Sequence, residues 1–208
     1  MLQLIKMKPP DWKQYGKISV YIDNANLIHS PKEIGWFVGL ENIANFFKMS
    51  HKLVELKLFD SIPQKEDLEK LRRFHKRFFP QNEYDTYLKR SEKQQQIFEK
   101  AEKEWGIQTV IKPLRFIIDY KKHKVTPKGD CDIDLVVDII RRRKNYDTLF
   151  LIAGDGDYVA LVNYLKQCQK RVVVMSDRGL IANILINAAN EYWPFTRFRK
   201  ELEFKKRR

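Results

Sequence analysis

The sequence predicts an α/β domain, and three observations carry that expectation. Short apolar runs rich in β-branched residues, Lys17–Asp23 (KISVYID), Leu149–Ala153 (LFLIA) and Arg171–Met175 (RVVVM), have the length and composition of buried strands. Stretches with apolar residues at helical spacing separate them, so strands and helices alternate along the chain. One of these strands ends in a carboxylate, Asp23, and another runs into a glycine turn that delivers Asp155 and Asp157. Sites in open α/β sheets form outside the carboxyl ends of strands, so acids from the two can converge.

Composition narrows the class. The 208 residues include 40 Lys and Arg against 27 Asp and Glu, a formal net charge of +13, with 43% hydrophobic residues. That apolar share can build a sizeable core and excludes a disordered polypeptide. The length suits one domain with a modest elaboration. The positive balance points to a polyanionic partner, nucleic acid before membrane. No run of eighteen apolar residues occurs, and lysines and Pro9-Pro10 interrupt the first residues, so neither a membrane span nor a signal peptide is expected. Cys131 and Cys168 form no Cys-x-x-Cys pair, which fits a reducing cytoplasm. His29, His51, His75 and His123 lack ligand spacing, so zinc is not expected. Association into homo-oligomers is left open.

In order, residues 1–16 read as a basic lead-in, 17–190 as the domain, and 191–208 as an aromatic and basic extension. After the first strand, Leu27–Gly39 reads as a loop and Leu40–Met49 as a helix. Leu53–Phe59 alternates as a strand, and Lys65–Phe79 is a basic amphipathic helix stopped by Pro80. Ser91–Trp105 continues as a helix to Gly106, followed by a strand at Ile107–Ile111. Arg115–Tyr120 and Lys124–Thr126 form a hairpin around Lys121-Lys122-His123. Arg115, the lysines, Phe116 and Tyr120 there combine charge with aromatic faces, as single-strand-binding surfaces do. The alternative is a solvated basic hairpin with its aromatics packed inward.

Asp130–Lys144 (DCDIDLVVDIIRRRK) is acid-rich at its start and basic at its end, which a helix dipole favours on its own. Ile133, Val136, Val137 and Ile140 are expected to face the core, with Asp132 on one flank and Asp134 and Asp138 on the other. Tyr158–Gln169 and Leu180–Ala189 read as further helices, and Tyr192, Trp193, Phe195 and Phe198 as core cover. In Thr148–Tyr158 (TLFLIAGDGDY), Asp155 and Asp157 stand one glycine apart. They either cap the following helix or share a cation, since like charges held close disfavour their ionised forms until one is bound. A cation among such acids would be a hard one, Mg2+ or Mn2+.

Three segments, VYIDNANL, KGDCDIDLVVDII and LFLIAGDGDYVALVNYLK followed by RVVVMS, resemble the signature of the NYN (LabA-like) branch of the PIN-like nuclease superfamily. The resemblance spans Ile18 to Asn190 and departs at Ala153, where Ser is usual, and at Tyr158, where Phe is usual. It implies a three-layer α/β/α fold with a central, mostly parallel sheet. It also implies a metal-dependent ribonuclease acting on single-stranded or structured RNA with Mg2+ or Mn2+. On that reading Asp23, Asp132, Asp155 and Asp157 hold the metal. Asn26 orients Asp23 or meets substrate, and Asp138 is a further catalytic candidate. Lys128, with Arg115, Lys121 and Lys122, would contact phosphates. The alternative is a non-catalytic RNA- or protein-binding regulator on the same fold. A phosphatase with a phospho-aspartate wants Asp-x-Asp after the first strand; this chain has Asp23-Asn24-Ala25-Asn26.

Overall fold

The structure, a computed structural model, describes residues 10–205. Six strands form one sheet: β1 (Ile18–Asp23), β2 (Leu53–Ile62), β3 (Gln108–Pro113), β6 (Thr148–Ile152), β7 (Arg171–Ser176) and β8 (Glu191–Pro194). Their order is β3-β2-β1-β6-β7-β8, and every pairing is parallel. A separate antiparallel hairpin pairs β4 (Arg115–Asp119) with β5 (Lys124–Lys128). The helices are α1 (Asn24–Ile34), α2 (Leu40–Lys48), α3 (Lys65–Phe74), α4 (Gln81–Lys100), α5 (Asp132–Arg142), α6 (Val159–Gln167), α7 (Asn183–Ala188) and α8 (Arg199–Leu202).

The central strands are buried almost throughout because helices cover both faces, the usual state of a parallel sheet. Ile18, Val20 and Ile22 point into one core with Ile43, Phe46 and Phe47 of α2, Phe98 of α4 and Leu202 of α8. Tyr21, Phe59, Leu149 and Leu151 point into the other, against Leu135 and Ile139 of α5, Leu161 and Leu165 of α6, and Leu185 of α7. This is the three-layer α/β/α arrangement with a parallel central sheet. A smaller third cluster, Leu68, Leu71, Phe79 and Tyr84, packs α3 and α4 against Phe116, Ile118 and Val125 of the hairpin. Among the described residues no helix is long and apolar enough to cross a membrane.

Several expectations change. The segment expected as a loop at Leu27–Gly39 is mostly α1, which begins directly after β1 because the Asp23 Oδ1 accepts the Ala25 N–H at 3.0 Å. The polar stretch before Ser91 belongs to one twenty-residue helix, α4. It widens to a single π turn, Ala101–Trp105, and ends at Gly106 with φ 71°, a left-handed conformation that glycine adopts without strain. The helix begun at Lys65 stops at Phe74, well short of Phe79. On α5, Ile133 is 72% exposed and Val137 45%, whereas Leu135 and Ile139 are buried. The expected core stripe is therefore displaced around the helix.

Glu191–Pro194 form β8 at the sheet edge. Trp193, Phe195 and Phe198 are buried with Trp12, Tyr15, Phe46 and Phe150 in one aromatic cluster. Tilted and edge-on rings at 5–6 Å favour such packing beyond the area they bury. Trp12 and Tyr15, ahead of β1, are thus fastened to the same core as Trp193 and Phe198.

Candidate active site

The strand order reverses between β1 and β6, and that switch point is where open α/β sheets open a crevice at their carboxyl edge. Ile22 pairs with Ile152, so Asp23, which ends β1, and Ala153, which follows β6, leave the sheet level with each other. Gly154 follows, and a Cβ there would stand 2.4 Å from both Asn26 Nδ2 and the Leu180 carbonyl. Only glycine lets α1 and the loop before α7 close on this turn. The turn then presents Asp155, whose Oδ1 accepts the Asp157 N–H at 2.9 Å, capping the 3-10 turn Gly156–Tyr158. Capping is thus part of the role of Asp155, as of Asp23.

A cleft of about 340 Å³ opens here, lined by Asp23, Asp60, Asp130, Asp132 and Asp155, with Arg90 and Gln94 of α4 on its far wall. Asp132 enters from the first turn of α5, where the Asp130 carboxylate accepts its N–H at 3.1 Å. Burial, and next the negative charge of Asp132, raise the Asp23 carboxyl to about 6, against the Ala25 and Asn26 N–H groups that favour its charged form. Burial likewise raises Asp132, opposed by the Tyr158 hydroxyl, which donates to Oδ1 at 2.7 Å; Asp130, Asp155 and Asp157 add to the rise. Burial raises Asp60 as well. Acids raised by one another's charge gain most from a cation among them.

Asp157 does not line the cleft, but its charge reaches Asp132. Asn26 lies beside the Gly154 turn with its Oδ1 accepting the Ser176 hydroxyl at 2.6 Å, so it ties the start of α1 to the end of β7. Lys128 is exposed at the rim, between cleft-lining Pro127 and Gly129, and pairs across the hairpin with Arg115. Lys121 and Lys122 occupy the hairpin's far tip, their N–H groups bonded to Asp119. Four residues of antiparallel strand place that tip roughly 14 Å from Arg115.

Asp138, a catalytic candidate by resemblance, is absent from the cleft lining. It accepts from Lys57 Nζ at 2.5 Å and Arg142 Nε at 3.2 Å, and the Tyr21 hydroxyl stands 2.8 Å away. Burial alone would raise its carboxyl, but the Lys57 and Tyr21 hydrogen bonds and the Lys57 charge hold it below the usual range. It serves a polar network between β1, β2 and α5.

Sequence reasoning passed over Asp60, two residues before the end of β2. Asn24 Nδ2 donates to it at 2.7 Å and Gln94 Nε2 at 3.2 Å, joining α1 and α4 across the cleft. Its signal was present in LVELKLFD, an alternating apolar run followed by an acid, as at Asp23. Tyr158 was seen only as a departure from Phe; the structure gives its extra hydroxyl a partner in Asp132.

Among the described residues no three Asp, Glu, His or Cys side chains stand close enough to coordinate one ion as placed. In kind, however, the donors fit a hard divalent cation. They are all carboxylate oxygens, and each carboxylate has about four acceptor positions of which Asp132 and Asp155 use few. Closing on one ion would take side-chain rotation.

Comparison with known proteins agrees with this architecture. The NYN domain model matches residues 17–196. The chain is 23% identical over 190 residues to the low amplitude and bright protein LabA of Synechococcus elongatus, covering 90% of this chain and 88% of that one. It superposes on the crystal structure of a protein of unknown function from Vibrio parahaemolyticus with a TM-score of 0.61. That match covers 95% of this chain and 100% of the other at 20% identity, and the likeness is one of fold. The chain belongs to the NYN domain family of the PIN-like nuclease superfamily.

Proposed function

We propose that the cleft hydrolyses RNA phosphodiester bonds with the help of a divalent cation, Mg2+ or Mn2+. The observation that carries this reading is the meeting of Asp23, Asp132 and Asp155, from three separate segments, at the switch point of a parallel sheet. Asp23, Asp132 and Asp155, with Asp157 beside them, are the residues that would hold the ion. When bound, such an ion makes a water nucleophilic at neutral pH and neutralises charge at phosphorus. The chain's own residues prepare the site. Tyr158 fixes the Asp132 carboxylate, backbone N–H groups fix Asp23 and Asp155, and Asn26, held by Ser176, fixes the turn against α1. Lys128 and Arg115 at the rim attract the phosphate backbone towards an otherwise acidic cleft. We place this activity in the cytoplasm, where Cys131 and Cys168 stay as free thiols.

One observation favours the second reading, a regulator that binds RNA or protein without chemistry. The acids do not stand ready as a three-ligand group. The test separates the two. Chain freed of contaminating nuclease is incubated with labelled linear, hairpin and circular RNAs and Mg2+ or Mn2+. The expected result is internal cleavage, circular RNA included, that Asp155→Asn abolishes without change in fold. RNA left intact under all conditions, yet bound with strong salt dependence, would establish the second reading.

A further inference from the structure

The chain's positive charge is concentrated beside the cleft. Residues 70–79 (KLRRFHKRFF) and 114–128 (LRFIIDYKKHKVTPK) together hold ten Lys or Arg and one Asp, a net +9 of the chain's +13. They come from α3 with its following turn and from the β4–β5 hairpin, which pack against each other through Leu71, Phe79 and Phe116. Between them runs a groove of about 650 Å³, lined by Lys70, Phe74, His75, Lys112 and Arg115 among others. Leu114 lines both this groove and the acidic cleft, so the two adjoin.

Two features suit the groove to an unpaired strand. Phe74 is 68% exposed, with the Arg73 guanidinium 5.4 Å from its ring centre. Tyr120 is 63% exposed at the hairpin tip, edge-on to His75 at 6.0 Å and to Phe78 at 5.8 Å. Large aromatics left in solvent amid cations offer stacking faces, which a duplex cannot use because its base faces are already stacked. Two of the cations are engaged: Lys70 lies 4.0 Å from Asp67, and Lys112 pairs with Asp134. Arg115 has no ion-pair partner among the described residues.

We propose that this groove holds a single-stranded RNA segment, stacked on Phe74 and neutralised by Lys70 and Arg115, and leads it past Leu114 to the aspartate cleft. The last clause rests on the hydrolytic reading of the cleft; the groove itself does not.

Binding is measured in EDTA, where no cleavage occurs, by fluorescence anisotropy of a labelled single-stranded RNA twelve-mer and of the duplex of the same length. Phe74→Ala is expected to weaken the single strand about tenfold or more, the worth of one stacked base, and to leave the duplex unchanged. Lys70→Ala with Arg115→Ala is expected to lower the slope of log affinity against log salt by about 1.4, two phosphates at about 0.7 each. Circular dichroism confirms that each variant is folded. Unchanged affinity in Phe74→Ala, or a wild-type preference for duplex, overturns the proposal. So does binding of phosphatidylserine vesicles without binding of RNA, or a change in oligomeric mass by Phe74→Ala with RNA affinity intact. A chain that binds as expected but never cuts RNA keeps the groove and loses the hydrolytic reading. A chain whose Asp155-dependent cleavage accompanies Phe74-independent binding does the reverse.

Discussion

Replacing Asp138 by Asn separates a structural acid from a catalytic one. Lys57, 5% exposed at its side chain, has Asp138 at 2.5 Å and Glu55 at 3.8 Å. Arg142 approaches both acids, at 3.2 and 3.4 Å, and Ser19 donates to Glu55 at 3.1 Å. Two cations and two anions balance in this network. Removing one partner of a buried pair costs about 3–5 kcal/mol because the other charge is left uncompensated. Two features reduce that here: Asp138 is 25% exposed, and Glu55 stays beside Lys57. The loss is then about 2 kcal/mol, or roughly 4–8 °C in Tm for a chain of this size.

The sign of the pH dependence follows from the lowered carboxyl. A group whose pKa is depressed by folding stabilises above its unfolded value, near 3.9, and stops doing so as pH falls through the folded value. The Tm gap between wild type and Asp138→Asn is therefore expected to be full at neutral pH and to close as pH falls below about 4. The assay is paired thermal melts from pH 3 to 8, with RNA cleavage measured well below both melting points. An unchanged Tm accompanied by lost cleavage would refute the structural assignment and return Asp138 to the catalytic set.

Three further outcomes are expected. Gly154→Ala drives a methyl against Asn26 and the Leu180 backbone, so it should cost about 1–3 kcal/mol by overpacking, seen as a lower urea midpoint, and disable cleavage; wild-type stability would refute the requirement for glycine in this turn. Tyr158→Phe removes the hydroxyl from Asp132 and should lower stability by about 0.5–1.5 kcal/mol while weakening, without abolishing, Mn2+ binding measured by calorimetry. Saturating Mn2+ at about a hundred times its Kd should stabilise the wild type by about 2.7 kcal/mol. In Asp23→Asn that stabilisation should largely vanish, and an equal thermal shift in both proteins would place the ion elsewhere.

What the sequence determined by itself was local. β-branched runs became strands, Asp23 and Asp155 fell at strand ends, and the Lys-Lys-His turn closed its hairpin, because each depends on neighbours in the chain. The acidic ends of strands at 18–23 and 149–153 already marked where chemistry could gather. Periodicity failed on α5, whose apolar residues at 133, 135, 136, 137, 139 and 140 surround much of the helix. Only docking against Tyr21 and Leu149 chose Leu135 and Ile139 as its buried face. Strand order, likewise absent from any local pattern, set β1 beside β6 and brought their acids to one cleft. It also put Lys57 of β2 within reach of Asp138, so that this acid balances a buried charge. Charges buried together are decided by which strands become neighbours, and that is a property of the assembled sheet.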